Sequence, residues 1–84
     1  MVLHDWNKSL EYAKGICKEA SEINHLDIRY SVYSMSDNRK GISIDVYDNY
    51  GNIHTYYRSG IQKDYISMVC SLNYCIKRAV TENC

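Results

Sequence analysis

Leu3, Trp6, Leu10, Ala13, Cys17 and Ala20 recur at alternating intervals of three and four, with Ile16 and Ile23 beside them. That spacing lines one face of an α-helix and predicts a helix over about 5–24. Glu11, Lys14, Lys18 and Glu22 fall on the opposite face, as solvated helix charges do. Asp5 is the expected N-cap, since its carboxylate can accept from a free amide two or three residues on. The small residues Ala13, Cys17 and Ala20 predict close approach of a neighbouring element. Asn24 and His25 mark the stop.

The period then changes from near four to two. Residues 27–34 (Asp-Ile-Arg-Tyr-Ser-Val-Tyr-Ser) alternate, which predicts a strand with one buried face. A polar turn follows over 36–41. Residues 42–48 alternate again, with Ile42, Ile44 and Val46 inward and Ser43, Asp45 and Tyr47 outward. Asp48-Asn49-Tyr50-Gly51-Asn52 is a tight-turn signal, because Asn, Asp and Gly tolerate positive φ. A third strand is predicted over 53–58, with Ile53, Thr55 and Tyr57 inward and His54, Tyr56 and Arg58 outward. Three strands joined by short turns form an antiparallel meander. Ser59 with Gln62 three residues later matches a capping box, which predicts a second helix over about 60–80. Its apolar face holds Ile61, Tyr65, Met68, Val69, Leu72, Ile76, Ala79 and Val80, and 81–84 form a tail.

The order is α-β-β-β-α, with no internal repeat or linker. Residues 1–84 read as one α+β domain of two layers, both helices covering one face of a three-stranded antiparallel sheet. Length sharpens this: a chain of 84 residues buries only roughly 60–65 % of its unfolded surface, so its core is small. Lys plus Arg number 10 and Asp plus Glu 10. That balance argues against a general nucleic-acid binder, which carries a basic excess.

If the helices cover one sheet face, the other is bare. It would carry Arg29, Ser31, Tyr33, Ser43, Asp45, Tyr47, His54, Tyr56 and Arg58. The chain has nine tyrosines and no phenylalanine, and three of those tyrosines fall here. Tyr and Arg are enriched at the centres of protein interfaces, where a stiff ring with a polar tip gives area at low entropy cost. Arg29, Tyr33, Tyr47, His54, Tyr56 and Arg58 are therefore the candidate binding residues, for a protein partner or for a second copy of the chain. The same residues also suit a solvated sheet, where cross-strand aromatic pairs contribute about 0.2–1 kcal/mol each. Both readings stand on the sequence alone.

Catalysis is not expected. His54 can be drawn beside Asp45 across the strands, but an open sheet offers no cleft to exclude water. His4 and His25 lie at helix ends. Cys17, Cys70, Cys75 and Cys84 form no Cys-x-x-Cys pair and no metal-ligand spacing, so neither a metal nor a cofactor is expected. Cys70 falls opposite the apolar stripe and Cys75 borders it. The 48–52 turn lacks the repeated acidic ligands of a Ca²⁺ loop. No basic-then-apolar leader opens the sequence and no window approaches a membrane span, so the expected location is cytoplasmic, with reduced thiols.

The α-β-β-β-α order from the first helix to Val80 resembles the double-stranded-RNA-binding domain. That resemblance implies a nucleic-acid-binding fold. The family's lysine cluster would fall at Ser59-Gly60-Ile61-Gln62-Lys63-Asp64, which holds one lysine and one aspartate. The layout, with 42–76 and the Asp-Asn-x-Gly-Asn turn, is also similar to small phage-encoded type II-A anti-CRISPR inhibitors. Size and a Tyr, Ile, Asn and Lys usage typical of AT-rich small genomes accompany that likeness. It implies a non-enzymatic inhibitor of a host defence protein, acting in the host cytoplasm. A nucleic-acid-binding domain is the alternative, with the same tyrosines stacking unpaired bases.

Overall fold

The computed structural model describes residues 6–34, 36, 39–60 and 64–83. Helix α1 (Trp6–Asn24) buries Ser9, Ala13, Cys17 and Ala20, with Trp6, Leu10 and Ile16 packed at the margins. The buried stripe thus runs through a serine that a count of apolar residues passes over. Ile23 projects into solvent, while Leu3, His4 and the expected cap Asp5 lie outside the described residues. The helix stops where His25 takes a left-handed φ of 55° and the Leu26 N–H reaches back to the Ser21 carbonyl at 3.2 Å. That pairing satisfies a carbonyl the helix leaves open. The Ser21 hydroxyl donates to the Cys17 carbonyl at 2.7 Å and accepts from the Ile28 N–H at 3.0 Å. One hydroxyl thereby fastens the last turn of the helix to the strand that follows.

Strands β1 (Asp27–Ser34), β2 (Lys40–Tyr47) and β3 (Ile53–Gly60) form an antiparallel sheet in the order β1-β2-β3. Val46 stands between Ile28 and Thr55, Ile44 between Tyr30 and Tyr57, and Ile42 between Val32 and Ser59. These nine residues share one face, because side chains alternate along a strand. Helix α2 (Tyr65–Asn83) lies beside α1 on that face, against β3 and β2, while α1 rests chiefly on β1. Ile28, Ile42, Ile44 and Val46 meet Ala13, Cys17, Met68, Leu72, Cys75 and Ala79 in one core. This is the α-β-β-β-α, two-layer α+β arrangement read from the sequence.

Four details differ from that reading. The central strand runs 40–47 rather than 42–48, because Lys40 and Gly41 pair with Ser34 and Tyr33. The third strand continues through Ser59 and Gly60, which pair with Ile42 and Gly41. Ser59 is consequently no helix cap: it is buried, with its hydroxyl 2.5 Å from that of Ser71 and 3.5 Å from Met68 Sδ. The cap is Asp64, whose Oδ1 accepts from the Ser67 N–H at 2.8 Å. The helix therefore starts at Tyr65, and it takes in 81–83 as well; Ile61, Gln62 and Lys63 lie outside the described residues. At its far end, Asn83 Nδ2 donates to the Ala79 carbonyl at 2.8 Å and to Thr55 Oγ1 at 3.1 Å, pinning α2 to β3.

The fourth difference is a β-bulge. Pairing steps from Val46 with Thr55 to Tyr47 with Ile53, leaving His54 as an extra residue on β3. A one-residue slip reverses the faces. Ile53 is accordingly 52 % exposed instead of facing the core.

Candidate functional site: the outer sheet face

On the side away from the helices, β2 contributes Gly41, Ser43, Asp45 and Tyr47. Directly opposite them stand Tyr33, Ser31, Arg29 and Asp27 of β1, and Gly60, Arg58, Tyr56 and, past the bulge, Ile53 of β3. The small residues of the middle strand leave a trough. Long side chains from both edges lie across it. The Arg58 guanidinium sits 4.8 Å from the ring centre of Tyr33 and 5.0 Å from that of Tyr56. At the other end Arg29 sits 4.5 Å from the ring centre of Tyr47. Each such contact contributes about 0.5–1 kcal/mol at an exposed site, which favours this arrangement of both partners.

Gly41 makes the first cluster possible. A Cβ there would fall 2.6 Å from Tyr33 Cε1 and closer still to Cζ and the hydroxyl oxygen. The ring therefore lies on the glycine, a close approach that a glycine inside a strand permits.

The face is bare of helices but not of its own side chains. Ser43 and Asp45, expected to point outward, do so, yet they are only 6 % and 7 % exposed under the tyrosines and arginines. Asp45 is held by hydroxyls, accepting from Ser43 Oγ at 3.0 Å and from Ser31 Oγ at 3.5 Å, as a buried carboxylate requires. Through the sheet, burial first and then the Asp45 charge push the Cys17 thiol up to about 12. At the edge, Arg29 Nε and Nη2 donate to the two oxygens of Asp27 at 3.0 and 2.9 Å. This fork holds the Asp27 carboxyl below its ordinary range and raises Arg29.

His54 does not pair with Asp45. The bulge turns it toward the hairpin tip, where Nε2 lies 3.0 Å from Asp48 Oδ2. Asp48 also accepts from the backbone N–H groups of Asn52 at 2.9 Å and Tyr50 at 2.8 Å. Those amides, chiefly that of Asn52, keep its carboxyl below the usual range, and His54 adds to the effect. With Gly51 at φ 84°, 48–52 is the hairpin turn its sequence indicates. His54 borders a cleft of about 380 Å³ that it shares with His25, Asp27, Tyr47, Asp48 and Asn83.

Five of the six candidate residues therefore meet in two aromatic–cation clusters, Arg29 with Tyr47 and Arg58 with Tyr33 and Tyr56. His54 stands apart, at the rim beside Tyr47. Three contributors were not singled out from sequence: Gly41 as the seat of a ring, and Ser31 and Ser43 as the donors to Asp45. Gly41 was read as the end of the 36–41 turn, and only its pairing with Tyr33 places it inside a strand.

Elsewhere, Cys70 is exposed as expected, Cys17 is buried, and Cys75 lies in the core rather than at its border; Cys84 lies outside the described residues. Among the described residues no three His, Cys, Asp or Glu side chains are placed to hold a metal ion, and no helix is long and apolar enough to cross a membrane. The chain matches no protein-family model, no curated protein and no solved structure.

Proposed function

We propose that this chain is a non-enzymatic protein-binding module whose contact surface is the outer sheet face. The observation that carries the reading is the pre-set state of that surface. Tyr33, Tyr47 and Tyr56 already rest against Arg58 and Arg29 before any partner arrives. Side chains already ordered lose little entropy on binding, and Tyr and Arg are the residues that anchor interfaces. The balance of 10 basic and 10 acidic residues weighs against nucleic acid. A host defence protein is the partner class that the helix–three-strand–helix layout suggests, with a phage or other mobile element as the source.

The test replaces Tyr33, Tyr47 and Tyr56 together by serine. Immobilised wild type recovers a protein partner from an extract of the natural host, identified by mass. The triple variant, with an unchanged circular-dichroism spectrum, recovers none. Equal recovery by both proteins would remove the sheet face from the reading. Steep loss of binding to a duplex or single strand as salt rises from 50 mM would instead favour the nucleic-acid alternative.

A further inference from the structure

Resting on that protein-binding reading, we infer that the segment docking on the outer face is acidic, and that it places an aspartate or glutamate carboxylate on Arg58. The two arginines of the face differ in one respect. Arg29 has its fork filled by both oxygens of Asp27. The Arg58 guanidinium rests on the rings of Tyr33 and Tyr56, and no carboxylate of the described residues pairs with it. The neighbouring Asp45 is spoken for by Ser43 and Ser31 and is closed off from solvent.

In the free protein Arg58 is exposed, so its N–H donors are open to water. A partner that covers Tyr33 and Tyr56 strips that water away. A guanidinium that loses water without gaining an acceptor is strongly unfavourable. Covering this face therefore demands that the partner bring an acceptor to one spot, and a carboxylate fills that role best because its bonds to a guanidinium are charge-assisted. The two rings hold the guanidinium plane in place, which suits two parallel bonds to a carboxylate. Phosphate has the same acceptor chemistry. A nucleic acid, however, binds by many phosphate contacts and a basic excess, whereas this chain is balanced at 10 charges of each sign. One open guanidinium between two tyrosines suits one carboxylate on a protein.

Display of random 12-residue peptides tests the idea with wild type, Arg58→Gln, Arg58→Lys and the triple tyrosine variant, each checked for folding by circular dichroism. Wild type should enrich peptides with a recurrent Asp or Glu. Arg58→Gln should bind them at least tenfold more weakly, with Arg58→Lys in between because it lacks the fork. Peptides without acidic preference, lost by the tyrosine variant but kept by Arg58→Gln, overturn the acidic partner while leaving the binding face intact. Peptides that bind all four proteins equally overturn both. An empty selection overturns the acidic segment, as does Arg58-dependent binding of a duplex or single-stranded oligonucleotide in place of any peptide.

Discussion

Replacing Gly41 by alanine isolates how firmly the outer face is set. The backbone at Gly41 is not in the left-handed region, where Gly51 is the glycine found, so an alanine fits the main chain. Taken alone, Gly→Ala at a compatible site stabilises by about 0.4–1 kcal/mol through the unfolded chain. Against this, the new Cβ would lie 2.6 Å from Tyr33 Cε1. A ring held by Arg58 on one side and the sheet on the other must shift, and such overpacking costs about 1–3 kcal/mol. The net expectation is a loss of up to about 2.6 kcal/mol. With an m-value near 1 kcal/mol/M, the urea midpoint falls by up to roughly 2.6 M. The same substitution in a Tyr33→Ser background has no ring to displace and should stabilise by about 0.4–1 kcal/mol. The two backgrounds thus differ in sign, and the cycle measures the Tyr33–Gly41 coupling directly. If Gly41→Ala raises the midpoint in the wild-type background, the ring moves freely and the pre-set face is refuted.

Two further measurements address the rest of the molecule. Asp27 and Asp48 both titrate below the ordinary 3.8 in the folded chain, so their contribution to stability is complete above the unfolded value and is lost as pH falls through the folded values. Urea midpoints should therefore drop between about pH 4 and pH 2, and Asp48→Asn should flatten part of that drop; an identical profile would show that the turn carboxylate is not linked to folding. In a Cys84→Ser protein, a thiol-specific disulfide reagent should titrate Cys70 at once and reach buried Cys17 and Cys75 only in denaturant, and prompt reaction of a second thiol would contradict their burial.

What the sequence conveyed well was periodicity. The alternation of Ile42, Ile44 and Val46, and the three-and-four spacing from Trp6 to Ala20, located the core because each element buries one continuous face. The misreadings came where a local motif competed with a tertiary contact. Ser59 and Gln62 fit a capping box, but the ladder partners Ile42 and Gly41 draw Ser59 and Gly60 into the sheet. There the hydroxyl finds Ser71, twelve residues on in another element. Ser9 hid for the opposite reason, being a polar residue on a stripe counted by apolar ones. At the candidate site, strand parity brought the five clustered residues to one face. Parity could not reveal that Ser43 and Asp45 are roofed over, since that depends on side chains crossing from both edge strands. Nor could it foresee the partner of His54, because a bulge changes the count without leaving a mark in composition.

That bulge also separates the hairpin tip from the sheet in matters of length. Beyond His54 the register is anchored by Val46 with Thr55, Asp45 with Tyr56 and Ser43 with Arg58. An insertion or deletion near 48–53 meets a ladder that already accommodates one unpaired residue at this point, so the slack is taken up there and not passed along the strand. Tyr56 and Arg58 keep their side of the sheet whatever the tip does. The phase of the outer face is thus set on the sheet side of the bulge, by the pairs of Tyr56 with Asp45 and Arg58 with Ser43, and not by the hairpin tip.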